Sequence, residues 1–361
     1  MDFAFSEEQE MLRQGARQFL SNRFSPERVA ELAQSDEGWD PSSWKQIAEL
    51  GWTGLSVSED DGGAGMGFLE EAVLFEETGY GLYPGPYFST VGLALPALRG
   101  EILQRVVAGD AAVTFAWAEP GGPLTFDDLR SCGTKAEGSG DRWTLTGEKV
   151  LVPDLNAVGH AVVVASMPGG LGLFLTDVDA APGTTVDTTR RLGALHLAGS
   201  PATLLVAPGE AAAVIAGIRL RAYVSLALEA VGIAQRALEL AQEHVKTREQ
   251  FGKPIGVYQG VSHQVSNTYV DTELSRSLAY WAAWCVATGD DNAERAALAA
   301  KAQAATSAVA ACERSIQVHG GIGFTWEHIL HRYYKRAEWI ESFDGHPSAQ
   351  RRALAAELLA D

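Results

Sequence analysis

The chain has 361 residues, 46% of them hydrophobic, and carries 46 Asp and Glu against 28 Lys and Arg, for a formal charge of −18. Its length and apolar content provide for two or three domains with cores of their own, and its acidity sets it against phosphate backbones and anionic headgroups. Neither nucleic-acid binding nor membrane binding is therefore expected. The cysteines Cys132, Cys285 and Cys312 have neither CxxC nor metal-ligand spacing. That argues against a disulfide framework or a zinc site, and for a reducing cytoplasmic setting. The N-terminus lacks the basic-then-apolar pattern of a secretory signal, and no uninterrupted apolar run reaches the ~18 residues of a membrane span.

Along the first hundred residues, apolar positions recur at helical spacing: Met11, Leu12 and Ala16, then Trp44, Ile47, Ala48 and Gly51. Ser6, followed by acidic residues, reads as an N-cap. The stretch SVSEDDGGAGMG, 56–67, is too rich in glycine to hold a helix and reads as a loop. The pattern then changes to the short β-favouring runs VTFAW, RWTLTGEKVLV, HAVVVAS, LGLFLTDV and PATLLVA, separated by Gly, Pro and Asp. Such runs predict a small antiparallel β-barrel or sandwich. Beyond Glu210, long Ala/Leu/Glu-rich segments predict a helical bundle with more helical surface than one domain needs, and hence an oligomer. The expected fold is mixed and mainly α: an N-terminal helical domain (1–110), a middle β domain (111–209) and a C-terminal four-helix-bundle domain (210–361).

Generic catalytic signatures are missing: the sequence has no P-loop, no GxGxxG after a strand, no GxSxG and no HExxH. Two C-terminal segments hold residues suited to a phosphate-bearing ligand. Arg248, near a helix end, offers a guanidinium for a pyrophosphate, and Phe251 an aromatic face three residues on, one helical turn away. Gln317 offers an amide, and Gly320 with Gly321 lets a backbone approach a ligand closely. The same residues also fit an arginine covering a helix end, a core phenylalanine and a helix terminator.

Four segments in order carry a resemblance: FSEEQEMLRQGARQFL, AEPGGP at 118–123, REQFGKPIGVYQ at 248–259, and QVHGGIGFTWEHILHRYYKRAE at 317–338 followed by ESFDG. Together they resemble the acyl-CoA dehydrogenase flavoproteins, over essentially the whole chain. The resemblance implies FAD as cofactor and an acyl-CoA substrate that loses a proton beside the thioester carbonyl and a hydride from the next carbon. It implies that Arg248, Phe251, Gln317, Gly320 and Gly321 reach the adenosine diphosphate part of an FAD held mainly by a neighbouring subunit. It further implies that electrons pass to an electron-transfer flavoprotein. The family's base is the Glu of a Tyr-Glu-Gly-Thr motif, and here that position is Asp344, whose reach is shorter by ~1.5 Å. The family's other base position, on the first long C-terminal helix, is Ala222.

The departures cluster. Glu119-Pro120-Gly121 is kept, but Gly122-Pro123-Leu124-Thr125 replaces the family's Ala-Gly-Ser-Asp. Leu151-Val152-Pro153 replaces its flavin-facing Trp-Ile-Thr, and His346 and Ser348 replace a Thr and a Gln near the base. The residues that hold flavin within one subunit are lost, whereas those that reach across an interface are kept. This resembles the α2β2 acyl-CoA dehydrogenases of steroid side-chain degradation, in which a second dehydrogenase-like subunit completes the site. A homotetramer, a non-catalytic structural subunit and a superfamily oxidase with an aspartate base are the alternatives.

Overall fold

The computed structural model describes residues 5–122, 124–140, 142–178, 183 and 185–360. The N-terminal helices are α1 (Glu7–Arg23), α2 (Pro26–Gln34), α3 (Pro41–Glu49), α4 (Phe68–Tyr80) and α5 (Gly100–Val107). Six strands follow: β1 (Val113–Ala116), β2 (Lys135–Ser139), β3 (Arg142–Pro153), β4 (His160–Met167), β5 (Gly170–Asp177) and β6 (Leu192–Val206). The remainder is α6 (Pro208–Thr247), a short hairpin of β7 (Glu249–Gln250) and β8 (Lys253–Pro254), α7 (Gln259–Thr288), α8 (Ala293–His319), α9 (Leu330–Ser342) and α10 (Pro347–Ala360). The fold is thus mainly helical, with a small β-barrel in the middle of the chain order, as the sequence indicates.

The described residues group into two compact units. One comprises the described residues within 1–31, 68–83 and 223–361, the other those within 32–67 and 84–222. In the first, Ser6 caps α1 in a reciprocal capping box with Gln9. The buried face of that helix is Ala16 and Leu20, while Met11, expected on the apolar face, is exposed. α4 and α6 touch backbone to backbone: a Cβ on Gly79 would stand 2.1 Å from the Glu229 carbonyl oxygen, and one on Gly232 2.0 Å from that of Glu76. Glycine at both positions is what permits the approach. α6 is long and apolar enough to cross a membrane by length and composition, yet Val224, Leu226, Leu228, Val231 and Ile233 are completely buried within the protein. It is the core helix of this unit. α9 is fixed against it by a fully buried ion pair, Arg336 to Glu229 at 2.6 Å.

In the second unit the strands close into a ring through β4–β2–β3–β6–β5–β4, with β1 beside β4. The antiparallel expectation holds for β2–β3, β3–β6, β6–β5 and β5–β4, whereas β1 and the first residue of β2, Lys135, meet β4 in parallel. Glu119, the acidic residue of Glu-Pro-Gly, is buried and accepts from Lys149 Nζ (2.6 Å), Thr134 Oγ1 (2.5 Å) and the backbone N–H groups of Gly133 (2.6 Å) and Thr134 (2.9 Å). Burial alone would raise its carboxyl; the ammonium, hydroxyl and amides outweigh that and hold it at about 2. Its place in the sequence motif is therefore explained by the stability of the barrel.

Candidate active site and cofactor surface

Asp344 lies in the short connection between α9 and α10, with its backbone in the left-handed region at φ +53° and Gly345 following at +95°. A left-handed conformation costs an aspartate energy, and it persists only where its surroundings over-determine it. Two devices do so. The buried Gln350 side chain on α10 donates to the carbonyl oxygens of Asp344 (3.1 Å) and Gly345 (3.0 Å). His346 Nδ1 accepts from the Ser348 backbone N–H at 3.2 Å, capping the first turn of α10. His346 and Ser348 thus fold the loop.

The Asp344 carboxylate accepts a 2.6 Å hydrogen bond from the phenol of Tyr223, a buried residue on α6. A second group, Lys301 on α8, is completely buried, and among the described residues its ammonium has no hydrogen-bond partner. Burial pulls its pKa down to about 8, against the opposing pull of the Asp344 and Glu341 carboxylates. Neither Tyr223 nor Lys301 stood out in the sequence. The signal for Lys301 was there: it interrupts an otherwise small apolar stripe of Ala297, Ala304 and Ala308 at helical spacing, all buried. Tyr223 directly follows Ala222, itself fully buried as an alanine.

The other expected residues gather at a different part of the same unit. Arg248 is the first residue beyond α6 and is exposed. Phe251 does not continue the helix. It is the first of two residues at the tip of the β7–β8 hairpin, with φ +56° and Gly252 at +76°, and its ring is 92% exposed. Two consecutive positive φ values are the mark of a type I′ turn, so the helical-turn spacing expected between Arg248 and Phe251 is replaced by a hairpin. Gln317 is exposed on the last turn of α8, and Gly320 ends that helix at φ +66°. A Cβ on Gly320 or Gly321 would meet nothing within 4 Å, so the diglycine borders open space.

Two contacts bring these segments together. A small apolar cluster joins Ala241 and Val245 of α6 to Val318 of α8, with Ile255, Val261 and Val265 packed against it. Beside it the rings of His244 and His319 stack at 4.3 Å, and His328 lies 4.7 Å from His319. Burial lowers the pKa of all three, that of His328 to about 4, so at neutral pH they stack as uncharged rings. The result is an exposed surface presenting a guanidinium, an aromatic face, an amide and an unobstructed glycine backbone. That donor set suits an anionic dinucleotide. On the barrel, Leu151 sits at a bulge in β3 with φ +55° and its side chain half exposed, and Pro153 has no N–H to offer. Pro123 lies outside the described residues.

Residues 6–99 match the acyl-CoA dehydrogenase N-terminal domain and residues 221–359 the acyl-CoA dehydrogenase C-terminal domain. The acyl-CoA dehydrogenase IpdE2 of Mycobacterium tuberculosis is 33% identical over 355 residues, covering 98% of each chain. The chain belongs to the acyl-CoA dehydrogenase family. As such it is an FAD-dependent oxidoreductase acting on acyl-CoA. A solved variant of the Tcur3481-Tcur3483 steroid ACAD is 32% identical, with a TM-score of 0.86, and the match covers 98% of this chain and 99% of that one. The ChsE4-ChsE5 complex from Mycobacterium tuberculosis contains a chain 25% identical at a TM-score of 0.89, covered in full by a match that spans all of this chain. Among the described residues, no group of three His, Cys, Asp or Glu is arranged to hold a metal ion.

Proposed function

We propose that this chain is one subunit of a heteromeric acyl-CoA dehydrogenase that shares its FAD site with a second dehydrogenase-like chain, with Asp344 as the base. The observation that carries the reading is an asymmetry. Arg248, Phe251, Gln317, Gly320 and Gly321 form an exposed surface of the right chemistry, while the barrel presents Leu151 and Pro153 where the family has an aromatic ring and a hydroxyl donor. Arg248 would pair with the pyrophosphate, Phe251 would cover an apolar face of the nucleotide, and the Gln317 amide and the glycine backbone would hydrogen-bond it.

A bound FAD would supply the acceptor for the hydride that leaves the β-carbon of the thioester. Asp344 takes the α-proton, and the electron pair of that C–H bond forms the new double bond. The aspartate, held by its loop and by Tyr223, is one methylene shorter than the family's glutamate, which leaves depth for a bulkier acyl group. A steroid side-chain thioester is the substrate class we favour, in line with the solved steroid ACAD relative. An electron-transfer flavoprotein would collect the electrons.

The test is to purify the chain alone and with its partner. Alone it should hold little FAD. The complex should hold one flavin for every two chains and lose its turnover with Asp344→Asn. A chain that alone binds a full complement of FAD and dehydrogenates acyl-CoA overturns the shared site. Full activity in Asp344→Asn makes this a structural subunit, and rapid flavin reoxidation by oxygen without an acceptor protein makes the complex an oxidase.

A further inference from the structure

Three features of the unit holding Asp344 fall outside the family pattern described above: the phenol of Tyr223 on the carboxylate, the buried ammonium of Lys301, and the left-handed backbone of the aspartate itself. We propose that Tyr223 and Lys301 are positioning residues for Asp344: the phenol fixes the carboxylate's orientation, and the ammonium favours its ionised form. The inference rests on the reading of Asp344 as the base.

The geometry is specific. Tyr223 is 3% exposed and its hydroxyl lies 2.6 Å from Asp344 Oδ2, the short distance of a bond from a hydroxyl to a charged acceptor. The bond fixes a side chain with two torsions from a helix held rigidly in the core. Tyr223 stands six residues before Glu229, the anchor of α9, so α6 grips both the helix that leads into the Asp344 loop and the carboxylate at its end. Lys301 stands on α8, which packs against both α9 and α10, the helices on either side of the Asp344 loop, and its ammonium makes no hydrogen bond among the described residues. Such a group costs folding energy unless a nearby negative charge offsets it. The charges that act on it are Asp344, from the loop, and Glu341, from the last turn of α9. His346 faces Glu341 at 3.9 Å, and Gln350 of α10 holds the loop backbone without adding charge. An ammonium and a hydroxyl donor are therefore among the groups that address a base carrying a full negative charge before it takes the proton. Both favour the ionised carboxylate over its protonated form. A base so held trades proton affinity for readiness at neutral pH and for a fixed line of attack.

The test uses the assembled enzyme, with Tyr223→Phe, Lys301→Met and Asp344→Asn made in parallel. Tyr223→Phe removes one oxygen atom and keeps the ring. It should lower kcat roughly tenfold, the effect of one lost hydrogen bond to a charged group. KM and flavin content should stay near the wild-type values, and the acid limb of the kcat/KM profile should move up by about one pH unit. Lys301→Met should move the same limb in the same direction. An unchanged kcat and an unchanged acid limb in Tyr223→Phe overturn the proposal, whether or not Lys301→Met folds. The Asp344→Asn arm separates the two readings. If it is inactive while Tyr223→Phe behaves as wild type, only the positioning role fails, and if it is fully active, the base assignment fails first.

Discussion

Glu119 carries its charge in a place closed to water, and the groups around it decide whether that is tenable. Lys149 is completely buried and reaches the carboxylate at 2.6 Å, and Cys132 adds a thiol donor at 3.3 Å to the hydroxyl and two amides. Removing one partner of a buried pair leaves the other charge uncompensated. Glu119→Gln should therefore cost about 3–5 kcal/mol of stability, read as a lower urea midpoint. The sign of the pH dependence follows from the folded value of about 2 lying below the ordinary 4.5. The unfolded chain binds the proton more readily between those values, so the contribution of Glu119 is present above pH 4.5 and is lost as the pH falls toward 2. The variant should lose less of its remaining stability than the wild type across that interval. A parallel decline in both proteins would show that the carboxylate is not the group responsible.

At the scale of elements, the helices were legible where apolar spacing and caps agreed, as in the Ser6 capping box and the long Ala-rich stretches that became α6 and α8. β2 and the first half of β6 were not. β2 reads Lys-Ala-Glu-Gly-Ser and the first half of β6 Leu-Gly-Ala-Leu-His-Leu-Ala-Gly, so neither has the β-branched content that marks a strand; pairing with β3 makes them strands. The hairpin carrying Phe251 departs from the helical continuation that the Arg248–Phe251 spacing predicts, because the chain turns at Phe251-Gly252 between the helix end and Lys253-Pro254. In the candidate site, Asp344 is proposed from its family position alone, while Tyr223 and Lys301 have no signal of that kind, since their significance depends on α6, α8 and the α9–α10 loop meeting in space. The α4–α6 crossing is a similar case, because Gly79 and Gly232 look like ordinary glycines until their backbones are seen to touch. Gly232→Ala should destabilise the protein by about 3 kcal/mol or more, since the new methyl meets a carbonyl oxygen that no side-chain movement can withdraw. Thermal melting with α-helical signal as the probe tests this, and a variant that melts with the wild type would mean the two helices separate at little cost.

For the molecule as a whole, the charge of −18 poses a problem, because both FAD and CoA are anions. Such a chain needs local cations to bind them, and on the surface formed by the ends of α6 and α8 Arg248 is the side chain with both charge and exposure on the expected set. The three histidines packed below that surface do not help at neutral pH, since burial keeps them uncharged. Arg248→Ala in the assembled complex should therefore lower the flavin retained through gel filtration by roughly tenfold in affinity, the order expected for losing one charge-assisted contact. Asp344→Asn, in the other part of the same unit, should retain its flavin. Raising the ionic strength should weaken flavin retention in the wild type more than in Arg248→Ala, because screening acts on the contact the variant already lacks. Equal flavin content in wild type and variant at every salt concentration would place the pyrophosphate elsewhere, and with it the interface through which this subunit would complete its partner.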